Sequence, residues 1–175
     1  MTRLYYIIVF LLLAGVSTAQ TLKVTCSEKE RKQKGDEFPD LITTCFIKNF
    51  KFVHTSYPDY VGRYFESEEE VYIYQNKRYV KTTNSNVFNK NQAELLSIIN
   101  EKIQKDFKKF RADSTVKWCF TEIDTIPIYK MNDLEISFQN NEIWFDVEWH
   151  SPGACGPVSG TTVIFKLNEI EKYIK

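Results

Sequence analysis

Residues 133–150 read DLEISFQNNEIWFDVEWH, and the rest of the chain can be placed relative to them. Apolar and polar side chains alternate on either side of Asn140-Asn141, the period of a strand, and the Asn pair supplies turn chemistry. The stretch predicts a β-hairpin. In its second strand, residues 142–150, Ile143, Phe145, Val147 and Trp149 point one way, and Glu142, Trp144, Asp146, Glu148 and His150 the other. One apolar face of this kind requires a cover.

The cover lies upstream. Leu95, Leu96, Ile99, Ile103, Phe107 and Phe110 recur at helical spacing over residues 91–111. Asn91 is placed to cap this helix, with Glu94 completing a capping box. Its other face carries Lys102, Lys105, Lys108, Lys109 and Arg111, which reads as a solvated face whose last turn suits the helix dipole.

A second hairpin is expected from 71–74 (VYIY) and 78–81 (RYVK) around Gln75-Asn76-Lys77. Residues 22–26 (LKVTC) read as a strand and 27–40 as a charged surface loop with Gly35 and Pro39. Residues 43–54 (TTCFIKNFKFVH) read as one long strand with an irregularity near Asn49. Tyr57-Pro58-Asp59 turns the chain, and 60–65 can pair next, ahead of the acidic run Glu66–Glu70. Beyond the helix, 115–122 (TVKWCFTE) and 161–166 (TTVIFK) read as strands, and 168–174 as a short helix. With few helices available as crossovers, the fold class is α+β: a mainly antiparallel sheet, one long amphipathic helix packed on one face, and a short C-terminal helix.

The N-terminus explains the compartment. Met1-Thr2-Arg3 precedes an apolar run from Leu4 to Val16 that is shorter than the roughly 20 residues of a membrane span. Ser17-Thr18-Ala19 supplies small residues for a signal peptidase. Residues 1–19 are expected to be a cleaved signal peptide, and 20–175 a single exported domain, periplasmic or secreted, with no stable membrane span. The 23 basic and 23 acidic residues balance, without the basic excess of nucleic-acid binders.

All four cysteines, Cys26, Cys45, Cys119 and Cys155, follow the signal, so disulfides are expected. Pairing of Cys26 with Cys45 and of Cys119 with Cys155 is favoured by proximity along neighbouring predicted strands. No metal-knuckle spacing occurs, so neither a metal nor another cofactor is expected. His150 and Cys155 are a nucleophile-and-base pair only if that cysteine is free.

Taken in order, Gln75–Val80, Asn86-Val87-Phe88-Asn89 and a long helix from Gln92 to Phe110 form a hairpin, a phrase with Phe and a helix. Then come 133–138, a turn, 142–149, a Gly-containing loop, 162–166 and the ending 167–174. Over residues 71–175 this order resembles the extracytoplasmic domain of unknown function shared by lysozyme-sensing anti-sigma factors and a peptidoglycan deacetylase, where it lies outside the catalytic domain. The chain departs from that family at 150–156 (HSPGACG), where members have a Tyr-rich approach to the last strand. The resemblance implies an extracytoplasmic binding or sensing module of the cell envelope, with an envelope protein, a lysozyme-like protein or a glycan as partner.

On the residues themselves, Trp144, Asp146, Glu148 and His150 are the candidate binding set. A tryptophan among carboxylates on a wet strand face suits a protein or sugar partner. The alternative is an envelope glycan hydrolase using Asp146 and Glu148 as paired carboxylates, which requires environments that push their pKa values apart. The expectation is a non-catalytic binding domain.

Overall fold

The computed structural model describes residues 22–32, 34–35, 37–59, 61–149, 155 and 158–175. Residues 1–19, expected to be a signal peptide, and the candidate site residue His150 lie outside these residues. The fold is α+β, with its strands in two antiparallel sheets. The first runs in sequence order through β1 (Val24–Arg31), β2 (Asp40–Ile47), β3 (Phe50–Pro58), β4 (Tyr64–Gln75) and β5 (Arg78–Thr82). A one-turn helix α1 (Asn84–Val87) leads to the long α2 (Gln92–Ala112). The second sheet, β6 (Glu135–Gln139), β7 (Glu142–Glu148) and β8 (Gly160–Lys166), is followed by α3 (Leu167–Ile170).

Both expected hairpins form, and each turns on two residues in the left-handed region: Asn76 and Lys77 between β4 and β5, Asn140 and Asn141 between β6 and β7. Asparagine tolerates that region because its short amide bonds locally.

Residues 43–54 are two strands, not one. Ile47 pairs with Phe50, leaving Lys48-Asn49 as a two-residue turn with Lys48 at φ 49°. The pair lacks the glycine that signals such a turn, and tertiary bonds hold it instead: Tyr74 N–H donates to Asn49 O at 2.7 Å, and Lys48 Nζ to Ile174 O at 2.8 Å.

The expected loop at 27–40 begins as strand, because β1 runs on to Arg31. Its charged side chains suit an unpaired sheet edge, and the strand is closed by the Arg31–Asp40 ion pair at 2.8 Å and by the Cys26–Cys45 disulfide between directly facing residues. The acidic run Glu66–Glu70 likewise lies within β4.

Residues 115–122 are not a strand. Asp113 accepts from the Thr115 N–H and hydroxyl at 2.9 and 2.7 Å, which curls the chain into a 3-10 turn, Lys117–Phe120. Cys119 and Phe120 are both buried there, Cys119 bonded to Cys155. The capping box of the long helix is also absent. Asn91 makes no side-chain cap bond, and Glu94 is engaged by the Tyr173 hydroxyl at 2.7 Å and Lys172 at 3.3 Å.

Leu95, Ile99, Ile103 and Phe107 are the buried apolar stripe of α2. They belong to one buried cluster with Ile136, Ile143, Phe145 and Val163 of the second sheet and Ile47, Phe50, Phe52 and Val71 of the first. Trp149 is ringed by Phe107, Phe110 and Phe120, with centroids 5.5 to 5.7 Å away in edge-on contacts. Lys102 lies 4.1 Å over the Phe165 ring at the helix margin.

Candidate functional site

The alternation along β7 holds: residues 143, 145 and 147 are buried and the intervening ones are more open. The wet face is not a flat one, however. Glu135 of β6, Asp146 of β7 and Thr162 of β8 stand in one row, on the floor of a cleft of about 850 Å³ whose lining includes Asp133, Glu148, Tyr129 and Phe110.

The helix builds the opposite wall. Asn100 of α2 is buried and clamps Tyr129 at both backbone groups, donating to its O at 2.9 Å and accepting from its N–H at 2.8 Å. Gln104 donates to Ile126 O and Pro127 O at 3.3 and 3.2 Å. The extended segment 126–129, which has no backbone partners among the described residues, is thereby fixed by helix side chains, which satisfies groups that burial would leave unpaired. Tyr129 then reaches across to donate to Glu148 O at 3.3 Å, and Asp106 accepts from the Thr161 hydroxyl at 3.0 Å, tying α2 to the cleft rim.

Behind the cleft the two sheets meet through side chains. His54 of β3 has Nδ1 3.0 Å from Glu135 Oε1, a contact that becomes an ion pair when the imidazole is protonated and whose ring N–H is not aimed along it. Ser67 donates to the same Oε1 at 3.0 Å. Glu69 Oε2 accepts the Ile136 N–H at 2.5 Å and Asn84 donates to Leu134 O at 2.8 Å, so side chains pair a backbone group of the edge strand β6 and one just ahead of it.

These contacts set the charges. The Glu135 carboxyl is held below its ordinary range by His54, against the effect of burial, and the His54 imidazole is held above its own by Glu135. Burial pushes the Asp146 carboxyl up, opposed by the hydroxyl of Thr162, which donates to its Oδ1. Burial also pushes Glu69 up to about 7, against the bond from Ile136 N–H.

Asp146 and Glu148, expected from the sequence, share the cleft. Trp144 does not line it. Its Nε1 donates to Glu142 at 3.3 Å, and it lines a neighbouring cavity of about 330 Å³ with Phe52, His54 and Phe138. The structure adds Asp133, Glu135, Tyr129 and His54. For Glu135 a sequence signal existed, because it stands opposite Asp146 when the Asn140-Asn141 hairpin is closed; His54 carried none, its partners arriving from the other sheet. All four cysteines are paired, so Cys155 is no nucleophile. Among the described residues no group of His, Cys, Asp and Glu is arranged to hold a metal, and no helix is long and apolar enough to cross a membrane.

No family model, curated protein or solved structure matches the chain.

Proposed function

We propose that the chain is an exported, non-catalytic binding domain of the cell envelope that receives a cationic group of its partner in the cleft over β6, β7 and β8. One observation carries this reading: Asp133, Glu135, Asp146 and Glu148 converge on a cleft in whose lining the described residues include no lysine or arginine. Tyr129, Phe110 and Pro127 add an apolar wall beside the charges. Carboxylates so gathered attract an ammonium or guanidinium group, and partly desolvated walls strengthen the attraction. The partner class is a basic protein, of which lysozyme is an example in keeping with the family resemblance, or a glycan bearing free amines. The two disulfides fit an oxidising compartment.

The test is binding to immobilised lysozyme and to a de-acetylated amino glycan, at two salt concentrations. Replacing Asp146 and Glu148 together by Asn and Gln should weaken the complex by about tenfold or more, roughly 1.4 kcal/mol, and flatten its salt dependence. Unchanged affinity in a variant with native melting behaviour would sink the reading.

A second reading, glycan hydrolysis, is favoured by one specific observation. Glu135 and Asp146 are cross-strand partners whose proton affinities are displaced in opposite directions, the arrangement that separates an acid from a base. Both are committed to internal partners, His54 and Thr162, which is why binding ranks first. Turnover of cell-wall glycan that disappears in Asp146→Asn would reverse that order.

A further inference from the structure

The face of the first sheet turned away from the core carries a second surface. Strand register sets Phe46, Lys51, Tyr72 and Lys81 in one row across β2 to β5, with Tyr74 and Tyr79 facing each other in the next. Phe46, Tyr74 and Tyr79 keep 37%, 47% and 41% of their surface exposed. Their rings are contiguous, 6.0 Å from Phe46 to Tyr79 and 5.2 Å from Tyr74 to Tyr79. Single exposed apolar residues are ordinary, whereas contiguous ones mark a contact surface.

A cation sits at the middle of these rings. Lys51 Nζ lies 4.0 Å from the centroid of Tyr72 and 5.1 Å from that of Tyr79. Among the described residues no carboxylate forms a direct ion pair with it, although it is near enough to Glu70 to help hold that carboxyl below its ordinary range. Glu70, on the same face of β4, is already held by Lys81 and the Tyr72 hydroxyl, both at 2.7 Å. Lys77 and Arg78 add exposed positive charge at the tip of the β4–β5 hairpin, with no ion-pair partner among the described residues.

We propose that this face binds a polysaccharide containing uronic acids. Charge complementarity calls for an anion at Lys51, and the rings around it call for an apolar face within the reach of one small group. A uronic acid supplies both in a single residue: the C–H face of its ring lies on an aromatic side chain, and its carboxylate meets the ammonium. The tyrosine hydroxyls leave polar edges for sugar hydroxyls. An acidic peptide offers the anion but requires pockets for its apolar anchors, and this pleated outer face is a broad platform. The proposal does not rest on the acidic cleft, which lies elsewhere and repels polyanions, so the two can fail separately.

Calorimetric titration of the full folded domain with oligogalacturonate, a neutral galactose oligomer and polyglutamate tests it. Oligogalacturonate should bind, the other two more weakly by about tenfold or more, and Tyr79→Ala and Lys51→Gln should each remove about tenfold in affinity, while Asp146→Asn leaves it unchanged. Both substituted side chains sit on the outer face; if Tyr79→Ala melts abnormally, Lys51→Gln alone decides. Absence of binding, equal binding of polyglutamate, or full affinity in Lys51→Gln would overturn the proposal.

Discussion

His54 and Glu135 belong to sheets that share no backbone ladder, yet the imidazole Nδ1 of one is 3.0 Å from the carboxylate Oε1 of the other. This contact, with Ser67 beside it, joins β3 to β6 at the back of the acidic cleft.

Its pH dependence follows from the two displacements. A base held above its ordinary 6.5 contributes fully below 6.5 and fades as pH climbs through the raised value. An acid held below its ordinary 4.5 contributes above 4.5 and fades as pH falls through the lowered value. The junction is therefore firmest between these two ordinary values. Glu135→Gln should bring the NMR-monitored titration of the His54 ring down, and cost no more than about 1 kcal/mol, since the pair is partly solvated. An imidazole that titrates identically in the variant would show that the pair does not form in solution.

Glu69 behaves in the opposite sense. Its carboxyl is raised from 4.5 to about 7 by burial, so the folded protein holds a proton that the unfolded chain releases, and stability declines as pH rises across that interval. Glu69→Gln keeps an oxygen for the Ile136 N–H and removes the charge. It should leave the melting temperature at pH 5 nearly unchanged and stabilise the protein at pH 8 by about 2 kcal/mol. A variant equally or less stable at pH 8 would show that the ionised side chain is accommodated without cost.

Trp149 is the point where helix, 3-10 turn and second sheet meet. Truncation to Ala should cost about 3–5 kcal/mol by denaturant unfolding. Because its Nε1 is buried without a partner among the described residues, Trp149→Phe should cost far less, the lost volume being offset by removal of an unpaired donor. Comparable losses in both variants would contradict this account.

Gly160 opens β8 opposite Glu148, and a Cβ there would run into the carbonyl oxygen of Val147. Gly160→Ala should destabilise by about 1–3 kcal/mol and loosen the cleft rim, lowering affinity for cationic partners beyond what stability explains. Thermal melts and the lysozyme binding assay check both parts.

The hairpins and the long helix were legible because their information is local: a period of two around paired asparagines, and a period near four from Leu95 to Phe107. The misread segments share a different cause. Lys48-Asn49 is a turn held by Ile174 and Tyr74, and the curl that Asp113 starts at Thr115 carries Cys119 to its disulfide with Cys155, so both places involve residues distant in sequence. The candidate site divides in the same way. Asp146 and Glu148 could be read from one strand, and Glu135 by closing the hairpin, but the His54 contact required knowing how two sheets face each other. Trp144 alternates away from the buried side chains of β7, but it lines a separate cavity with Phe52 and His54 of the first sheet.

The Cys26–Cys45 bridge fastens strands at one margin of the first sheet, while β5 closes the other margin with no covalent link. Amide hydrogens at the two rims should thus exchange with deuterium at unequal rates, quickest along Arg78–Thr82, and a reductant should erase the asymmetry. A ligand settling on Tyr79 would have the reverse effect, slowing exchange on the unfastened side and giving it the steadiness that sulfur gives the other.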